Sequence, residues 1–238
     1  MEVIFLDSVD STNLYVKKHM AELSDLTAVY TSHQTSGRGR LNRKWIDTGS
    51  QNIYLTILLK PDNKYQSVFP NLTQYLSVVL CETLAGYGVE GRIKWPNDVL
   101  VNNKKIAGIL SESTIQGGEF KGIALGIGIN LNTTQEELDK IDKPATSLSV
   151  ILNREIDREK FLHALLEKFC LLYDKFLDEG FLSIKNDYIK RASFLNSEVK
   201  INVLGTVHSG KAVEITDNGA LVLEKDNTMN TFYIGDIL

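Results

Sequence analysis

Arg92-Ile93-Lys94-Trp95-Pro96-Asn97-Asp98-Val99-Leu100-Val101-Asn102-Asn103-Lys104-Lys105-Ile106-Ala107-Gly108-Ile109-Leu110-Ser111-Glu112 is the stretch on which the fold turns. Its short β-branched and apolar runs, Arg92–Lys94, Val99–Val101 and Lys105–Glu112, read as strands. Pro96 bars continuation of a regular strand, and Asn102-Asn103 suits the left-handed backbone of a tight turn. Gly117-Gly118 then turns the chain again, into a further strand over Gly122–Asn130.

Upstream, strands are expected at Val3–Leu6, Ala28–Ser32 and Ile53–Leu59, the last ending at Pro61. Ser8 to Asn13 is rich in helix-capping residues, so a helix should follow to about Leu23. Asn71 to Ala85 reads as a helix closing on Gly86 and Gly88. Downstream, Thr133–Pro144 is polar and weakly patterned, which predicts a mobile loop. Phe161, Leu165, Phe169, Leu172 and Phe176 share one face of a helix over Asp157–Glu179, with looser helical pattern to about Arg191. From Ser197 only strands and turns follow: Val199–Val203, Gly210–Ile215, Ala220–Leu223 and Thr231–Ile234. The expectation is an α+β fold, a mixed β-sheet with helices packed on it over residues 1–192. A small C-terminal β-barrel over residues 193–238 completes it.

Composition narrows the function. With 238 residues, 43% hydrophobic and 24% charged, the chain can fill a sizeable core, which excludes disorder and coiled coil. The net charge of −4 argues against a general nucleic-acid or anionic-membrane binder. Apolar runs such as Ile53–Leu59 are too short to span a membrane, and the acidic N-terminus is no secretory signal. The 4 histidines show no metal-ligand spacing. The 2 cysteines, Cys81 and Cys170, are expected as buried free thiols in a reducing cytoplasm.

Chemistry concentrates in a few segments. Gln34-Thr35-Ser36-Gly37-Arg38-Gly39-Arg40-Leu41-Asn42-Arg43-Lys44-Trp45 puts guanidinium groups, which match phosphate and carboxylate, on a glycine-bearing loop. By itself such a tract is as readily a solvated basic loop. Asn97 and Asp98, on the bend after Pro96, could hold hydrated magnesium or a ribose hydroxyl, and Lys105 could grip a carboxylate or phosphate. Standing alone they would read as a turn and a surface lysine. Ser11, Thr12 and Asn13 are explained by capping, or else bind a small polar head group. Gly126-Ile127-Gly128-Ile129-Asn130 is an apolar strand whose glycines admit a close neighbour, such as a flat ring.

Together and in this order these segments resemble the biotin–protein ligase, or biotin–[acetyl-CoA-carboxylase] ligase, family, in its short form without an N-terminal DNA-binding domain. Ser11-Thr12-Asn13, Gln34 with Gly37 to Arg40 and Arg43 to Trp45, Lys94 to Asp98, Lys105 to Ile109, and Gly126 to Asn130 carry the likeness, with a weaker echo at Ala145 to Leu148. The resemblance implies a class II synthetase-like catalytic domain followed by an SH3-like barrel. It implies ATP and biotin as substrates with magnesium (Mg2+), a biotinyl-5′-AMP intermediate, and transfer to a lysine of a biotin carboxyl carrier protein or domain. Ser11, Thr12, Asn13, Gln34, Arg38, Gly39, Arg40, Lys105, Gly108, Gly126 and Gly128 would bind biotin. Gly37, Arg38, Arg40, Arg43, Trp45, Asn97, Lys105 and Asn130 would bind ATP or the adenylate. Arg38, Arg40 and Lys105 would be catalytic, and Asp98 would ligate magnesium or help the incoming lysine lose its proton. Gly37–Lys44 would order over the adenylate, with Thr133–Pro144 assisting. Leu41 and Asn42 depart from the Arg and Gly common there, which alters loop flexibility and any hold on pyrophosphate.

Rival readings are a lipoate–protein ligase, separated by biotin-versus-lipoate binding, and a non-enzymatic nucleic-acid module, which predicts salt-sensitive binding. A degenerate ligase kept as a ligand sensor is the third. The expected partners are a carrier domain and, through exposed edge strands, a second copy in a homodimer, with no nucleic acid and no membrane.

Overall fold

The computed structural model describes residues 1–48 and 52–238. Strand β1 (Val3–Val9) runs into helix α1 (Thr12–Lys18), which returns the chain to β2 (Ala28–Gln34), parallel to β1. Then follow β3 (Ile53–Leu59), α2 (Leu72–Gly86), and the run β4 (Arg92–Lys94), β5 (Asp98–Val101), β6 (Lys104–Gln116) and β7 (Glu119–Ile129). These form a 7-stranded sheet in the order β1-β2-β3-β7-β6-β5-β4, antiparallel everywhere except β1 beside β2. The expected mixed sheet is therefore present. Asn102 and Asn103 both take positive φ, 51° and 61°, in the β5–β6 turn, a conformation their short polar side chains tolerate.

Central β3 is buried along its whole length because helices cover both faces of the sheet. On one side Leu55 packs with Leu76 of α2 in the main core. To that core α5 (Arg158–Glu179) adds Phe161, Leu165, Phe169 and Phe176. Tyr75 stacks on Phe176 at 4.5 Å between ring centroids, and such aromatic pairs add roughly 0.5–1.5 kcal/mol beyond burial. On the other side α1 covers a smaller cluster of Val16, Met20, Val29, Leu58 and Ala124. The expected helix to Leu23 stops at Lys18, where the chain turns and buries Met20.

The segment expected as a mobile loop contains α3 (Gln135–Leu138), started by a reciprocal Thr134–Glu137 capping box and anchored by buried Leu138. Two elements follow it, α4 (Leu148–Leu152) before α5 and α6 (Lys185–Arg191) after it. Cys81 is buried, which pushes its thiol up to about 12, whereas Cys170 lies exposed on α5, contrary to expectation. Among the described residues, no helix is long and apolar enough to cross a membrane.

The C-terminal strands β8 (Glu198–Val203), β9 (Thr206–Ile215), β10 (Leu221–Lys225), β11 (Thr228–Phe232) and β12 (Asp236–Ile237) form a 5-stranded antiparallel sheet. Its order, β11-β10-β9-β8-β12, leaves β11 and β12 at opposite edges, so the expected SH3-like barrel is not closed by hydrogen bonds. The unit docks where buried donors need acceptors: Asn71 Nδ2 donates to Asn218 O at 3.0 Å, Gln74 Nε2 to Gly219 O at 2.9 Å, and Trp95 Nε1 to Gly219 O at 3.3 Å.

Candidate functional site

Register places the chemistry. Gly108 pairs with Gly128, and Leu110 with Gly126, across β6 and β7. Tyr54 pairs with Gly128, and Thr56 with Gly126, across β3 and β7. Alternation then turns Gly108, Gly126 and Gly128 to one face of the sheet, the face covered by α1. Three adjacent positions without side chains make a depression, and neighbouring groups fill it. A Cβ on Gly126 would strike the Asn13 side chain, and one on Gly128 would lie 2.8 Å from Trp45 Cζ2. A Cβ on Gly108 would lie 2.8 Å from Trp45 Cζ3 and 3.0 Å from Lys105 Nζ. Gly126→Ala should therefore displace Asn13 and lower stability by roughly 1–3 kcal/mol. An unchanged urea midpoint would contradict this packing.

The remaining cavity, about 30 Å³, is lined by Ser11, Thr12, Asn13, Gln34, Arg38, Trp45, Leu55, Gly108, Leu110, Gly126, Ile127 and Gly128. It holds about two waters, so a larger ligand must displace Trp45 or Arg38. The capping account of the first segment does not hold. Ser11 is the N-cap of α1 but its side chain makes no capping bond, and Thr12 and Asn13 are buried in the cavity wall. Gln34 Oε1 accepts from the Thr12 N–H at 2.9 Å, and the Thr56 hydroxyl donates to Asn13 Oδ1 at 2.6 Å. Trp45 lies against the floor with Lys105 Nζ 5.4 Å from its ring centroid. Its buried Nε1–H has no hydrogen-bond partner among the described residues. An apolar floor, amide and hydroxyl walls, and an orphaned donor suit a small ligand with a polar head.

The glycine–arginine loop is folded over this cavity. Gly39 N–H donates to Arg43 O at 2.8 Å, Trp45 N–H donates to Gly37 O at 3.0 Å, and Arg38 bridges Lys44. Arg38, Arg40 and, from β6, Lys105 do not converge on one partner. Each rests on a carboxylate instead: Arg38 on Glu112 at 3.4 Å, Arg40 on Asp236 at 2.7 Å, and Lys105 on Asp98 at 2.6 Å. Arg43 takes the other Asp236 oxygen at 2.6 Å, and Arg40 also donates to Asn97 Oδ1 at 3.3 Å and Gly235 O at 3.1 Å. Like charges repel, and each of these cations is neutralised by a nearby carboxylate. Partly exposed pairs of this kind are worth about 0.2–1 kcal/mol, little enough for a substrate anion to replace them. The groups nonetheless form one continuous row. Arg40 touches Asn97, whose neighbour Asp98 holds Lys105, and Lys105 abuts Gly108 in the cavity floor beside Arg38. Asn130 lies next to this row, its N–H donating to Ile106 O at 2.9 Å and its side-chain amide to Thr146 O at 3.2 Å.

Asp98, expected as a magnesium ligand, is engaged by an ammonium group. Among the described residues, no group of three or more His, Cys, Asp or Glu side chains is placed to hold a metal ion. The donor set does not fit a resident metal. Sequence reading gave no role to Glu112 or Asp236, and quoted Lys94 only as part of a motif. Lys94 is half-buried, and burial pulls its amine below the usual range, as do nearby Lys143 and Lys105, against the opposing charges of Asp98 and Asp236. Alternation from Gly108 could have pointed to Glu112. Asp236 lay in another part of the chain with no local signal.

A profile described as the biotin/lipoate A/B protein ligase family matches residues 5–130, and one described as the biotin protein ligase C terminal domain matches residues 194–238. The chain is 32% identical over 242 residues to the bifunctional ligase/repressor BirA of Bacillus spizizenii, across 99% of this chain and 73% of that protein. It is 33% identical over 224 residues to the biotin–[acetyl-CoA-carboxylase] ligase of Paracoccus denitrificans, across 92% of each. Among solved structures it is similar to the biotin protein ligase from Aquifex aeolicus in complex with biotin and ATP. There the TM-score is 0.87 at 28% identity, covering 100% of this chain and 97% of that one.

Proposed function

The chain belongs to the biotin/lipoate A/B protein ligase family, and from that premise we propose that it joins biotin to a lysine of a biotin carboxyl carrier domain through biotinyl-5′-AMP. The enzyme class is ATP-dependent biotin–[acetyl-CoA-carboxylase] ligase, as in its named relatives. The observation that carries the reading is the glycine-floored cavity walled by Thr12, Asn13 and Gln34 and opening onto the row of Arg38, Lys105 and Arg40.

In this reading the cavity walls take the polar head of biotin, and Trp45 moves to admit it. The biotin carboxylate then lies between Arg38 and Lys105. One of its oxygens attacks the α-phosphorus of ATP, and the bond to the bridging oxygen breaks, releasing pyrophosphate. Two anions must be brought together for this, so neutralisation and alignment carry the rate. The ATP phosphates displace Asp236 from Arg40 and Arg43, while Asn97, Trp45 and Asn130 border the nucleotide. Magnesium accompanying ATP would supply neutralisation of phosphate charge, and Asp98, paired with Lys105, would not be its resident ligand. In the second step the acceptor amine attacks the biotinyl carbonyl carbon, AMP leaves, and Asp98 takes the amine proton once Lys105 has turned to the substrate. Folding of Gly37–Lys44 over the site keeps water from the anhydride.

Biotin-dependent exchange of pyrophosphate into ATP tests the reading, with lipoate in a parallel reaction. Exchange with biotin, and biotin transfer to a purified carrier domain, is the expected result. Exchange with lipoate alone would reassign the chain to the rival branch of the family. Salt-sensitive nucleic-acid binding without any exchange would overturn the enzymatic reading.

A further inference from the structure

Glu112 lies on β6 four residues beyond Gly108, facing the same side of the sheet, with its side chain 17% exposed. Separate parts of the site meet at it. Oε2 accepts from Asn13 Nδ2 at 3.0 Å, and Oε1 accepts from Lys17 Nζ at 3.0 Å and lies 3.4 Å from Arg38 Nη1. Asn13 and Lys17 are one turn apart on α1, so both hold that helix to β6.

A side-chain amide can point either end at a ligand, and here its surroundings decide. Nδ2 is held by Glu112 and more weakly by Leu110 O at 3.4 Å, so Oδ1 turns to Thr56 and the space above Gly126. The cavity wall therefore presents an acceptor, complementary to an N–H of a cyclic urea. The same carboxylate keeps Arg38 at the rim. Resting on the biotin-ligase reading, we propose that Glu112 is a positioning residue for biotin, fixing the Asn13 amide toward the ureido ring and holding Arg38 where the carboxylate arrives. Burial alone would raise the Glu112 pKa. The hydrogen bonds from Asn13 and Lys17 and the charges of Lys17 and Arg38 outweigh it and hold the group ionised below the usual carboxylate range. A carboxylate in that state only accepts hydrogen bonds, so it does not compete with Asn13 as a donor.

The test compares the unaltered chain with Glu112→Ala and Glu112→Gln by calorimetric titration with biotin and with biotin methylated on a ureido nitrogen. Pyrophosphate-exchange kinetics supply KM for biotin and for ATP. Glu112→Ala should bind biotin about tenfold more weakly, the effect of losing one charged hydrogen bond, while KM for ATP shifts less than about twofold. Its preference for biotin over the methylated analogue should shrink. Glu112→Gln, which keeps an acceptor for Asn13, should recover part of both and carries the test if the alanine variant misfolds. Unchanged biotin affinity and analogue preference in folded Glu112→Ala, or in Glu112→Gln where the alanine variant misfolds, would overturn the proposal, as would equal rises in both KM values. Failure of the unaltered chain to bind biotin would instead sink the ligase reading on which it stands.

Discussion

Arg38→Ala should leave the chain folded and slow biotin-dependent pyrophosphate exchange by about 10²–10³-fold, the usual effect of deleting one donor to a developing anionic centre. Arg38 is the loop cation that lines the cavity, and its structural tie is a 3.4 Å contact with Glu112, so stability depends little on it. In the proposed reaction the guanidinium serves the meeting of carboxylate and α-phosphate more than either alone, so the loss should fall mainly on kcat. Arg38→Lys should recover only a fraction, since an ammonium cannot span two oxyanions as a planar fork does. Exchange at the unaltered rate in a folded Arg38→Ala protein would remove Arg38 from the reaction and leave the cavity a binding site only.

Lys105→Ala should weaken biotin binding by roughly 10²-fold or more in calorimetric titration, as when one member of a close charge pair is truncated. Lys105 is fixed from several directions. Its N–H donates to Pro144 O and its carbonyl accepts from Thr146 N–H, each at 2.9 Å, and its ammonium sits by Trp45 and Asp98. Removing it also leaves Asp98 without its counter-charge beside the incoming carboxylate, which adds repulsion to the lost attraction. Lys105→Ala combined with Asp98→Asn should therefore recover part of the affinity. Biotin binding within about twofold of the unaltered chain, below even one ordinary charged hydrogen bond, would exclude Lys105 from the carboxylate subsite.

Local sequence carried much of this architecture because the signals were local. The Asn102-Asn103 and Gly117-Gly118 turns, the all-apolar β3 and the one-sided face of α5 each express a preference that a few neighbouring residues settle. Failures came where a residue's role depends on distant groups. Ser11 to Asn13 by themselves left capping and ligand binding open, because Thr12 and Asn13 spend their polar groups on Gln34, Thr56 and Glu112, far along the chain. Thr133–Pro144 read as a loop because Leu138 and Ile141 are too few apolar residues to show a period.

What the sequence determined unaided is the inventory: strands in the right order, and glycines, arginines, lysine and amides of the kinds that an acyl-adenylate chemistry needs. Their arrangement was the work of the tertiary structure. Only pairing register brings Gly108, Gly126 and Gly128 onto one face. Only docking of the C-terminal sheet puts Asp236 between Arg40 and Arg43, and only burial beside α1 makes Glu112 the anchor of Asn13 and Arg38. The physical reason is range. Backbone preference and hydrophobic period act over a few residues, whereas a charge chooses its partner by distance in space after the chain has folded.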